Sequence, residues 1–117
     1  MRGTRVLVVE DESLLAETLC GLMQDAGCEP VGPAATVAAA LSLIDRAAID
    51  VAVLDIRLLS EMSFPVAYAL RRRGIPLVFL TSYEHRTLPK DLADAILVEK
   101  PFSAPLLIEI VRRLAMV

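Results

Sequence analysis

Apolar residues in this chain fall into short unbroken runs, separated by longer stretches in which they recur every third or fourth position. Residues 5–9 (RVLVV) form one such run and stop at Glu10, Asp11 and Glu12, the pattern of a strand buried on both faces. From Ser13 to Ala26 the apolar side is Leu14, Leu15, Thr18, Leu19, Leu22 and Ala26, which predicts a helix, with Gly27 placed for a left-handed C-terminal residue. A weaker strand is expected over Glu29–Gly32. Thr36 is then positioned to cap a helix carrying Val37, Ala40, Leu41, Ile44 and Ala48. Residues 51–54 (VAVL) are the most strand-like run and end in Asp55. A helix from about Ser63 to Arg73 follows, with Pro65 in its first turn and Gly74 beyond its end. Leu77–Thr81 reads as a fourth strand. Ser82–Asp94, interrupted by Pro89, is poor helix material and predicts one short helix or an irregular loop. Residues 95–98 (AILV) read as a fifth strand, and Ser103 caps a last helix with Leu106, Leu107, Ile110, Val111 and Leu114 on one face.

Five strands alternating with helices predict an α/β fold: one doubly wound parallel sheet, right-handed crossovers and helices on both faces. The 117 residues suffice for one domain, taken as 1–117, and not for two. Hydrophobic residues at 56% and a mean hydropathy of +0.58 agree with a sheet covered on both sides. The most apolar stretches, near 31–44 and 49–56, are broken by Pro33, Asp50 and Asp55, short of the roughly 18–20 apolar residues of a spanning helix. Acids follow Val9 at once, which does not fit a signal peptide. The expectation is a cytoplasmic protein with no membrane association. A net charge of −3 and pI near 5.1 argue against a nucleic-acid surface. Arg71, Arg72 and Arg73 read as cations at a helix C-terminus. Cys20, Cys28 and the lone His85 do not form a zinc-ligand pattern, and the cysteines read as small core residues.

In a parallel sheet, ligands bind beyond the carboxyl ends of the strands. Those ends carry Glu10-Asp11, Asp55, Thr81-Ser82 and Glu99-Lys100-Pro101. Each residue has a plain alternative: an acid can cap the next helix, Thr81 can be an ordinary strand residue, and Lys100 can be a solvated cation. Jointly they fit one reaction, phosphoryl transfer to a carboxylate. Clustered carboxylates repel unless a hard cation such as Mg²⁺ sits between them. A carboxylate beside that cation can act as nucleophile, while an ammonium and a hydroxyl meet the charge on the equatorial oxygens. Lys100 stands out because the chain otherwise prefers arginine, with ten arginines and only Lys90 and Lys100 as lysines.

On VLVVEDE (6–12), VAVLDIRL (51–58), LVFLTS (77–82) and VEKPF (98–102), the chain resembles the receiver domains of two-component response regulators over essentially its whole length. The resemblance implies a flavodoxin-like sheet of order 2-1-3-4-5. It makes Asp55 the phosphoacceptor and Glu10, Asp11 and Asp55 the Mg²⁺ carboxylates, with the Arg57 carbonyl as a further metal ligand. Thr81 becomes the switch hydroxyl and Lys100 the phosphate-binding amine, followed by a cis bond to Pro101. Such a domain catalyses only its own phosphorylation and dephosphorylation and is not otherwise an enzyme. The implied partners are a histidine kinase or histidine phosphotransfer protein, and a downstream protein bound through residues 82–117. Homodimer formation is left open.

Three departures from the family pattern stand out. Leu59 replaces the usual proline four residues after the phosphoacceptor, Met62-Ser63 replaces Asp-Gly, and Leu97 replaces the aromatic before the lysine. The loop after Asp55 is therefore expected to have its own shape. Tyr83 becomes the candidate aromatic that couples phosphate to the surface. With SEMSFPVA after the active-site loop, the chain looks similar to single-domain bacterial regulators. The rival reading is a receiver-like module that binds a partner without phosphorylation. A phosphatase lacks its paired aspartates and cap domain here, and a nucleotide-binding domain lacks its glycine-rich loop.

Overall fold

The structure, a computed structural model, describes residues 1–82 and 88–116. Tyr83 and His85 lie outside the described residues. Strands β1 (Arg5–Val9), β2 (Glu29–Ala34), β3 (Val51–Asp55), β4 (Leu77–Thr81) and β5 (Ile96–Glu99) form one parallel sheet of order β2-β1-β3-β4-β5. Helices α1 (Ser13–Asp25), α2 (Val37–Arg46), α3 (Phe64–Arg72) and α4 (Ala104–Ala115) connect or follow them, and a short 3-10 turn spans Lys90–Leu92. Among the described residues this turn is the helical part of the stretch 82–94, where one short helix or an irregular loop was expected.

The alternation of side chains along the three central strands divides the core in two. Leu7, Val9, Ala52, Leu54, Leu77 and Phe79 pack toward α2 and α3, where Phe79 meets Phe64 edge-on at 6.1 Å. Val6, Val8, Val51, Val53, Val78 and Leu80 pack toward α1 and α4. These strands are buried on both faces, which is why the sequence shows them as continuous apolar runs.

The edges are less regular. β2 runs two residues beyond its expected end, through Pro30 and Pro33, which only an edge strand tolerates. At Gly32 (φ +102) a Cβ would lie 2.8 Å from the Ala34 nitrogen and 3.0 Å from the Val8 carbonyl oxygen, so the bend there requires glycine. β5 starts one residue later than expected because the Ala95 N–H donates to the Leu92 carbonyl and closes the 3-10 turn.

Helix α1 corrects the expected face. Its buried residues are Ala16, Leu19 and Met23, while Leu14 is 69% exposed and Thr18 faces outward. Ala16, Leu19 and Met23 are spaced by three and four and so share one helical face, which turns Leu14 outward. In α2, Ala40 and Ile44 are buried as expected, but the helix stops at Arg46 and leaves Ala48 exposed. Thr36 caps α2 by accepting from the Ala39 N–H, and Ser103 caps α4 by accepting from the Leu106 N–H.

Candidate functional site

Parallel pairing places the carboxyl ends of β1, β3, β4 and β5 on one edge of the molecule. Main-chain bonds carry this alignment just past the strands. The Glu10 N–H donates to the Ala34 carbonyl at 2.9 Å, the Ile56 N–H to Leu80 at 3.0 Å and the Lys100 N–H to Thr81 at 2.8 Å. Side chains from three separated sequence segments therefore meet at one point.

One carboxylate oxygen from each of Glu10, Asp11 and Asp55 lies within 4.8 Å of the others. The Lys100 Nζ donates to Asp55 Oδ2 at 2.8 Å and lies 3.4 Å from Glu10 Oε1. Asp11, Asp55, Arg57, Leu58, Leu59, Ser82 and Lys100 line an open cavity of about 300 Å³ over the cluster. Glu10 and Asp55 are buried, Asp11 is half-buried, and the Arg57 side chain is exposed.

Burial sets the electrostatics. It raises the Glu10 carboxyl from 4.5 to about 7; the Glu12 N–H, donating to Oε2 at 3.1 Å, opposes this, the charge of Asp55 adds to it, and Lys100 opposes it. For Lys100, burial favours the neutral amine, yet the bond to Asp55 and the charges of Asp55 and Glu10 together outweigh it and raise its pKa. Lys100 thus stays charged and offsets part of the repulsion among the three acids. A donor set of three carboxylates with an open mouth fits a hard, oxygen-seeking divalent cation.

Most of the residues singled out from sequence converge. Glu10, Asp11, Asp55 and Lys100 come together as expected, and neither Glu10 nor Asp11 is the N-cap of α1: that residue is Glu12, which makes no side-chain cap bond. Lys100–Pro101 is cis, as the resemblance implied. Thr81 differs from the picture of a hydroxyl facing the site. It is fully buried and donates to the Ser82 carbonyl at 2.9 Å, while Ser82 reaches the cavity wall. Leu97 packs partly buried against the α2–α3 side of the core.

Sequence reasoning missed two residues of the β3–α3 connection. Ser63 is buried and its hydroxyl donates to the Asp55 carbonyl oxygen at 2.6 Å. The Glu61 carboxylate accepts from the Val37 N–H at the start of α2 at 3.0 Å. Ser63 was visible as the expected start of a helix and as a departure from a family glycine, and Glu61 carried no signal at all.

Known proteins share this family and this fold. A model of the response regulator receiver domain matches residues 6–112. The solution structure of SdrG from Sphingomonas melonis Fr1 is 35% identical, with a TM-score of 0.83 over 98% of each chain. The receiver domain of PhyR from Erythrobacter litoralis is 28% identical, with a TM-score of 0.85 over 99% of this chain and 92% of that one. The sensory transduction protein RegX3 of Mycobacterium tuberculosis is 35% identical over 93% of this chain and 49% of its own length. The transcriptional regulatory protein PdtaR of the same organism is 30% identical over 85% and 50%. The chain spans about half the length of the curated relatives it matches.

Proposed function

The chain belongs to the response regulator receiver family of two-component signalling, and from that premise we propose that Asp55 accepts a phosphoryl group and that the acyl phosphate switches the conformation recognised by a partner protein. Response regulators are phosphorylated by histidine kinases and act on downstream targets. The observation that carries the assignment is the convergence of Glu10, Asp11, Asp55 and Lys100 on one sheet edge.

In the transfer, an Asp55 carboxylate oxygen attacks the phosphorus of a phosphohistidine or a small phosphodonor. The new O–P bond forms as the donor's bond to phosphorus breaks, and the electron pair leaves on the donor atom. Glu10, Asp11, Asp55 and the Arg57 carbonyl would hold Mg²⁺, which supplies positive charge for the phosphate oxygens. Lys100, already 2.8 Å from Asp55 Oδ2, is placed to bind another of those oxygens. Apart from this phosphorylation and its reversal, the chain is assigned no catalytic activity.

The phosphoryl group adds about −1.5 to −2 charge, by analogy with phosphoserine. The Thr81 hydroxyl, now spent on the Ser82 carbonyl, reaches it only by turning away from that bond. Such a rearrangement of the β4 end would link chemistry to the region 82–117, the surface assigned to the downstream partner. The rival reading, a binding module without phosphorylation, leaves Lys100 only the role of offsetting the charge of Glu10 and Asp55. Radiolabel from a small phosphodonor with Mg²⁺ tests the choice: the native protein takes up label and Asp55→Asn does not. Equal labelling of Asp55→Asn contradicts the acceptor assignment.

A further inference from the structure

The connection between β3 and α3 is closed on itself by a set of bonds that converge on the base of Asp55. Ser63 precedes α3 and is completely buried, yet its hydroxyl makes no cap bond to the helix. It donates instead to the carbonyl oxygen of Asp55 at 2.6 Å, while the Ser63 N–H donates to the Ile56 carbonyl at 2.8 Å. Further out, Arg57 and Met62 form an antiparallel bridge and the Leu58 N–H donates to the Glu61 carbonyl at 2.8 Å. Residues 56–63 are therefore a small hairpin that begins and ends at the phosphoacceptor. Its outer corner is fastened as well. The Glu61 carboxylate accepts from the Val37 N–H at 3.0 Å, in the first turn of α2, where the free amides and the helix dipole favour a negative charge.

We propose that Ser63 and Glu61 are positioning residues, which fix the Asp55 carboxylate and the Arg57 carbonyl in the relative direction that a divalent cation needs. The inference rests on the assignment of Asp55 and Arg57 to that cation. Asp55 and Arg57 are separated by one residue, so the torsions of Asp55, Ile56 and Arg57 decide how far apart their oxygens lie. The hydroxyl of Ser63 and its N–H hold the carbonyls of Asp55 and Ile56, two of the three peptide units in that stretch. Glu61 prevents the hairpin from swinging as a unit, because it ties the far end to a helix packed on the same core. Partners that orient metal ligands typically change affinity by 10–100-fold when removed.

Calorimetric titration of the protein with MgCl₂ tests the assignment without reference to activity. Ser63→Ala is expected to weaken Mg²⁺ binding about tenfold, and Glu61→Ala to weaken it in the same direction. Glu61→Gln keeps an acceptor for the Val37 N–H and restores the native affinity. Ile44→Val, a core change in α2 away from the hairpin, lowers the melting temperature and leaves the affinity unchanged. Should Ser63→Ala fail to fold, the contrast between Glu61→Ala and Glu61→Gln decides alone. Native affinity in folded Ser63→Ala and in Glu61→Ala overturns the positioning role while leaving the cation site intact. A native protein that takes up no Mg²⁺ overturns both.

Discussion

Replacing Glu10 by glutamine removes one negative charge from the buried cluster and keeps the shape of the side chain. Glu10 is 2% exposed, and burial raises its carboxyl from 4.5 to about 7. Between those values the folded chain holds a proton that the unfolded chain has released. Stability from this group is therefore present at low pH, falls as pH rises from 4.5 through about 7, and is level above. A difference of that size corresponds to about 3 kcal/mol. Glutamine keeps an acceptor for only one of the Glu12 N–H, which bonds Oε2, and Lys100, which bonds Oε1, and turns its NH₂ toward the other, a loss of about 1–3 kcal/mol that does not depend on pH. The net expectation is that the stability of Glu10→Gln relative to the native protein rises by about 3 kcal/mol between pH 4.5 and pH 8. Urea unfolding across this range with a chelator present measures the difference. Two stability profiles that stay parallel from pH 4.5 to 8 refute the claim that burial penalises the charge of Glu10.

Other expectations follow from the same coordinates. Thr81→Ala should still take up label, since the hydroxyl bonds to Ser82 and not to Asp55. Full reversal of a 1:99 equilibrium needs about 5.5 kcal/mol and one charge-assisted bond supplies about 1.5–3, so phosphate-induced amide shifts near β5 should shrink; unchanged shifts count against Thr81 as the switch. Thr36→Ala removes the cap of α2 and should lower stability by about 1 kcal/mol in urea unfolding. Phe79→Ala, which empties a fully buried position against Phe64, should lower it by about 3–5 kcal/mol or prevent folding.

The central strands were legible because burial on both faces leaves an unbroken apolar run, and the site was legible because those runs end in charged residues. Val51–Asp55 shows both at once: four apolar residues fix the strand, and the acid at its end marks the ligand-binding edge. What depended on contact between elements was harder to read. Ala16 is buried in α1 one turn before Leu19, whereas a count of leucines directs attention to the exposed Leu14. The extension of β2 through two prolines is allowed only because that strand lies at an edge, and edges follow from topology. Ser63 and Glu61 act through bonds to Asp55 and Val37, partners 8 and 24 residues away, which no local pattern encodes.

The acceptor role of Asp55 is tested most directly by trapping. The protein is incubated with acetyl phosphate and MgCl₂, reduced with borohydride, and digested for peptide mass mapping. Reduction of an acyl phosphate converts the modified aspartate to homoserine, and the account places that conversion at Asp55 alone, dependent on both phosphodonor and Mg²⁺. Conversion at a different carboxylate, or none at Asp55 while the phosphodonor is consumed, contradicts it.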